Sequence, residues 1–177
     1  MDRQVITLAG GCFWCLEAVY ELVDGVLAVE SGYSNGQLKN PSYEQVCGGD
    51  TGHAEVVRVE FDAARITLRE LLEIFFAIHD PTTRDRQGND FGSQYRSGIY
   101  LHDEAQRVDV DAVLAVANAA WSGRAVTEVA PLDNYSRAEE GHQHYFANHP
   151  GQGYCAAVVG PKVAKFRRTF KARVKAA

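Results

Sequence analysis

A strand that ends in a glycine pair and runs straight into an apolar helical repeat is the feature that most limits what this chain can be. In ITLAGGCFWCLEAVYELV, residues 6–23, the flanking Val5 together with Ile6 and Leu8 reads as a short strand, 4–9, ended by Gly10 and Gly11. From Cys12 the period changes. Phe13, Leu16, Tyr20 and Val23 recur at helical spacing, and Gly25 stops the run, which predicts a helix over 12–23. Cys12 therefore stands at the start of a helix that follows a strand. Free N–H groups and the positive end of the helix dipole stabilise an anion there. A thiol so placed is expected to have a lowered pKa, and the thiolate is its nucleophilic form. The two glycines open close backbone approach at Cys12, which sets it apart from a cysteine used only to fill a core.

The rest of the chain alternates strands and helices. VLAVESGY, 26–33, is a strand, a polar loop runs to about His53, and AEVVRVEF alternates as a half-buried strand. Thr67 with Glu70 forms a capping box for the helix LRELLEIFFAIH. A second long loop precedes the strand GIYL. A helix from Asp103 to about Trp121 and the strand VTEVA follow, and the remainder is polar until a last helix. The core order is β-α-β-β-α-β, the split βαβ pattern. It predicts an α+β, ferredoxin-like two-layer sandwich with a mixed sheet, long loops and an irregular C-terminal segment. With no repeat or linker, residues 1–177 are expected to form a single catalytic domain. The loops 34–53 and 80–97 are long for such a domain, and long ordered loops are usually functional.

Charge and cysteine usage narrow the function. A net charge of −5 argues against a nucleic-acid binder. The basic run KVAKFRRTFKARVKAA reads as the solvated face of a terminal helix. No apolar run is long enough to cross a membrane, and MDRQ leads directly into a strand with no signal peptide. A cytoplasmic monomer is the expectation. Four cysteines in a reducing compartment point to free or catalytic thiols rather than structural bridges.

CxxC at Cys12 and Cys15 admits three chemistries. Zinc would need His142 and His144 to complete the set, and their spacing matches no common zinc pattern. A thioredoxin-type dithiol fits strand–CxxC–helix, but too few residues precede the motif to supply the usual βα unit. The third chemistry takes Phe13 and Trp14 as the wall of a pocket for a small apolar group, such as a methyl, beside the Cys12 thiolate. Acid chemistry then has candidates in the two long loops and their borders: Tyr43, Glu55, Asp90 and Tyr95. Cys47 reads as a small buried residue.

GGCFWC, GYSNG, NPSYEQVCGGDTGHAEVV, HDPTT, RQGNDFGSQYRSGIY, AEEGHQHYF and GYC resemble the A-type peptide methionine sulfoxide reductases, from about Ile6 to Lys165. The resemblance implies reduction of the S epimer of methionine sulfoxide, free or in oxidised proteins, with thioredoxin as the usual reductant and no cofactor or metal. It implies that Cys12 attacks the sulfoxide sulfur and that Glu55, in GHAE, donates the proton that makes this sulfur electrophilic. Tyr43 and Tyr95 would hydrogen-bond the oxygen, Asp90 would orient the site, and Phe13 and Trp14 would enclose the methyl. Cys12 sulfenic acid would then condense with a second thiol. Cys15 stands where many members have glycine, while Cys155 matches the GYC cysteine. Helical spacing favours Cys15 as the first resolving thiol, and Cys155 stays open as resolver, relay or structural residue.

Overall fold

The computed structural model describes residues 1–176. In chain order the strands are β1 (Arg3–Ala9), β2 (Val26–Ser34), β3 (Ala54–Asp62), β4 (Arg86–Gln87), β5 (Asp90–Phe91), β6 (Gly98–Leu101), β7 (Glu128–Pro131) and β8 (Ser136–Arg137). The helices are α1 (Phe13–Tyr20), α2 (Tyr43–Cys47), α3 (Leu68–Ile78), α4 (Arg107–Ala120), α5 (Tyr145–Asn148) and α6 (Gly160–Thr169). The result is a mixed α+β fold around a sheet of order β7-β6-β1-β3-β2-β8. β1 runs antiparallel to β3 and β6, β2 runs antiparallel to β3 and β8, and β7 is parallel to β6. The connection through α1 passes over β3, and the connection through α3 passes over β1.

Strand alternation decides what each face of this sheet carries. Val57, Val59 and Phe61 of β3 join Ile6 and Leu8 of β1 under the helices, in a core closed by Phe13, Leu16 and Tyr20 of α1 and by Leu71, Leu72 and Phe75 of α3. Ala54 and Val56 face the other side with Ala9 and Tyr100. Full burial of a side chain such as Phe61 or Phe75 contributes about 1.5–3 kcal/mol. By the same alternation Glu55 falls on the helix-covered face, at the end of β3 nearest the start of α1.

Two expected boundaries move. α1 ends at Tyr20, because the chain tightens there: the N–H groups of Leu22 and Val23 reach back only three residues, to the carbonyls of Val19 and Tyr20. The stretch before His53 is not all loop. Ser42 and Gln45 form a capping box for α2, whose five residues are too few to show a period. The capping box at Thr67 and Glu70 is present as expected.

The second long loop folds into the β4–β5 hairpin, and this hairpin explains the second glycine of the pair. Gly11 has φ +91°, and a Cβ there would lie 2.7 Å from Cγ of Gln87. The Gln87 amide is held in place by Asp80, accepting its N–H at 2.9 Å and donating to its carbonyl at 2.8 Å. The C-terminal segment is tied to β2 by Gln143, which bonds both the N–H and the carbonyl of Ser31.

Candidate active site

Cys12 is the N-cap of α1, extended in conformation, and only 8% exposed. Its side chain caps no backbone N–H, although the N–H of Trp14 in the first turn pulls its pKa down. The expected lowering of its pKa does not follow. Burial pushes the Cys12 thiol well up, and the charge of Glu55 adds to the shift. Local helix geometry favours the thiolate, but the cost of removing an anion from water is larger.

Glu55 lies across from Tyr33 in the β2–β3 register and is 1% exposed. Its Oε1 accepts the N–H of Phe13 at 3.2 Å, so the carboxyl serves the start of α1 from the sheet. Its Oε2 is fully buried and has no partner among the described residues. Burial raises its pKa to about 8 against the opposing pull of that N–H. Near neutral pH Glu55 is therefore a protonated acid, with Oε2 as its unpartnered oxygen.

The aromatic residues close around this pair. Phe13 is fully buried, with ring centroids 5.7 Å from Tyr33, 6.3 Å from Tyr43 and 5.5 Å from His142. Trp14 stacks on Tyr145 at 3.8 Å and meets Tyr154 edge-on at 5.8 Å. Burial and the Glu55 charge raise the hydroxyl pKa values of Tyr43 and Tyr95, which keeps both as hydrogen-bond donors. Asp90 accepts the Tyr154 hydroxyl at 2.5 Å, and its charge acts on both Cys12 and Glu55. Cys12, Phe13 and Trp14 at the start of α1, Glu55 on β3, and Tyr43, Asp90 and Tyr95 from the two long loops thus assemble at one end of the sheet.

Two residues of this end had no catalytic role in the sequence reading, which considered His142 only as a zinc ligand. Glu139 accepts the Tyr33 hydroxyl at 2.9 Å and the Tyr43 N–H at 2.8 Å, and so fixes the start of α2 over the site. His142 accepts the Trp14 indole N–H at 3.3 Å and packs 4.2 Å from Tyr43. Only their clustering in AEEGHQHYF could have signalled them. The zinc alternative is not assembled: among the described residues the one group of metal-like spacing is Glu17, Glu21 and His144, without either CxxC cysteine.

The four cysteines are all free. Cys15 lies one turn below Cys12, and Cys155 is fully buried in the helical stretch Cys155–Val159 that packs against α1. The charges of Cys12 and Cys155 each couple to Cys15. Burial raises the Cys15 pKa to about 11, opposed by the charge of Lys162. Cys47, expected to be buried, is exposed: α2 buries only Val46, and the neighbouring Cys47 turns outward.

Comparison with known proteins agrees with this geometry. The family described as "Peptide methionine sulfoxide reductase" matches residues 4–174. The chain is 52% identical to "Peptide methionine sulfoxide reductase MsrA" of Ralstonia nicotianae, covering 99% of this chain and 96% of that one. The reduced form of Mxr1 from Saccharomyces cerevisiae superposes with a TM-score of 0.84 at 41% identity, covering 89% of this chain and 91% of that one. Mxr1 in complex with Trx2 superposes with a TM-score of 0.59 at 30% identity, over 81% and 85% of the two chains. The chain belongs to the peptide methionine sulfoxide reductase family and is a methionine sulfoxide reductase of the MsrA kind.

Proposed function

We propose that Cys12 and Glu55 are the nucleophile and the acid of this reductase, acting on the S epimer of methionine sulfoxide. The observation that carries the assignment is the buried, unpartnered Oε2 of Glu55 beside Cys12, on a carboxyl that keeps its proton to about pH 8. A sulfoxide oxygen placed there receives a hydrogen bond and then the proton, which makes the sulfur electrophilic. Tyr43 and Tyr95 donate to the same oxygen. Phe13 and Trp14 enclose the S-methyl group, and Asp90, through Tyr154, holds the rim. As the Cys12 sulfur attacks, its own proton passes to the Glu55 carboxylate, replacing the one that Glu55 has given to the oxygen. The S–O oxygen passes to cysteine with the Glu55 proton, and the products are methionine and Cys12 sulfenic acid. A second thiol then attacks this sulfenic acid, releasing water and forming a disulfide. An outside dithiol of the thioredoxin type reduces the disulfide, and the Mxr1–Trx2 complex supports that partner.

Cys15 is the first resolving thiol in this reading. It lies one helical turn from Cys12, and Cys155, in a stretch that packs against α1, receives the disulfide next. The whole chain acts as one catalytic domain and as a monomer. Four free thiols support a reducing, cytoplasmic setting. Among the described residues no helix is long and apolar enough to cross a membrane. The order β6-β1-β3-β2, with each helical connection passing over a strand, supports naming the layout ferredoxin-like.

The test is turnover of separate S and R epimers of free methionine sulfoxide with dithiothreitol. Only the S epimer is expected to be consumed, and Cys12→Ser is expected to consume neither. Undiminished turnover by that variant would remove Cys12 from the chemistry. For the second thiol, Cys15→Ser should stall as sulfenic acid after one equivalent of substrate. A fast Cys12–Cys155 disulfide in that variant would make Cys155 the resolver.

A further inference from the structure

The β4–β5 hairpin presents two faces to two different surroundings. In the pair Gln87↔Asp90 both side chains turn inward: Gln87 packs on Gly11, beside Cys12, and Asp90 bonds Tyr154. In the pair Arg86↔Phe91 both turn outward. Phe91 is 65% exposed, and it is the one aromatic among the strongly exposed large apolar residues of the described chain. The Arg86 guanidinium carbon lies 4.6 Å from the centroid of its ring, with Nε donating to the Gly88 carbonyl at 2.8 Å. The ribbon is not a loose tip. Thr83 donates to the Arg86 carbonyl at 2.5 Å, and the Gly92 N–H reaches the Asp85 carbonyl at 2.8 Å. A rigid, water-facing aromatic ring thus sits one residue from the side chain that rims the Cys12 pocket.

We propose that Phe91, held by Arg86, is a specificity-determining contact for the reaction: it receives an apolar side chain flanking the oxidised methionine in a peptide or protein. The inference rests on the reading of Cys12 as the nucleophile. An extended peptide advances roughly 3.3–3.6 Å per residue, so a sulfoxide side chain inserted beside Cys12 brings the residues one or two positions away onto the neighbouring lip. Free methionine sulfoxide has no such neighbours and cannot use the ring. The reductant is the weaker candidate for this surface, because the disulfide it must reach lies toward Cys15 and Cys155, both buried along α1.

The measurement is the ratio of kcat/KM for a blocked Leu–methionine sulfoxide–Leu peptide to that for free methionine sulfoxide, with dithiothreitol as reductant. Phe91→Ser should lower this ratio roughly five- to tenfold, as expected from losing the burial of part of a phenylalanine ring. Phe91→Leu should restore most of it, and a peptide with glycine in place of both leucines should show little change. An unchanged ratio overturns the proposal. So does a change confined to the KM for thioredoxin, which would make the ring a reductant contact. Failure of the underlying site looks different: Cys12→Ser would then still turn over both substrates, whatever their ratio.

Discussion

Replacing Glu55 with glutamine keeps the shape of the side chain and removes its proton, and the structure sets the size of two consequences. The first is on stability. In the folded protein the carboxyl holds its proton to about pH 8, against a reference of 4.5. The unfolded chain releases that proton at lower pH, so between these values the folded state binds more protons and stability falls as pH rises. From pH 4.5 to 7 is about 2.5 units, and at about 1.36 kcal/mol per unit the native protein gives up about 3 kcal/mol at this one residue. The loss levels off above about pH 8. Glu55→Gln carries no such term. Its stability relative to the native protein, from urea unfolding, should therefore rise by about 3 kcal/mol between pH 4.5 and 7, keep rising to about pH 8 and then flatten. The second consequence is on rate. A general acid contributes roughly 10²–10⁴-fold, so single-turnover formation of sulfenic acid should slow by about that factor. The native rate should decline above about pH 8 as Glu55 ionises, and the decline should be absent in the variant. A stability difference that stays constant from pH 4.5 to 8 would refute the buried neutral carboxyl. A rate loss of only a few-fold would leave Glu55 as a support for the N–H of Phe13 and nothing more.

Two further outcomes follow from the geometry. Tyr43→Phe and Tyr95→Phe should each lower single-turnover rate about tenfold, the value of one hydrogen bond to a developing charge; unchanged rates in both would show that neither hydroxyl touches the oxygen. Gly11→Ala should destabilise the fold by about 2 kcal/mol or more in denaturant unfolding, because it forces a positive φ on alanine and drives its Cβ into Gln87; an unperturbed midpoint would mean the hairpin yields freely.

Local and periodic signals carried much of the architecture. The step from β1 through two glycines into α1 is a change of period within a few residues, and backbone sterics settle it without help from distant chain. The capping box at Thr67 and Glu70 is a three-residue interaction, readable for the same reason. Alternation along β3 puts Glu55 in phase with Val57, Val59 and Phe61, so its burial follows from the pattern that buries them. The family resemblance added the roles of Cys12, Glu55, Tyr43, Asp90 and Tyr95, which composition and spacing alone left as candidates.

What depended on the folded whole was every property set by residues far apart in the chain. The Cys12 thiol is the clearest case. Its position at a helix start argues for a low pKa, yet it is pushed up, because burial is produced by the surrounding elements together and no local pattern reports it. Cys47 was misread for the converse reason: its neighbour Val46 takes the one buried place on a helix too short to have a period. Tyr154 meets Asp90 across 64 residues, and Glu139 joins Tyr33 to Tyr43 across 106 and 96. Sequence separation of that size carries no register, so only the sheet order and the return of the C-terminal segment along β2 could bring these groups together. The same segment goes on to pack the buried Cys155 stretch against α1, which carries Cys15. The sequence by itself determined which residues could do sulfur chemistry and on which elements they stand. The tertiary structure decided their protonation and their company, because desolvation and long-range contact exist only once the chain has closed around them.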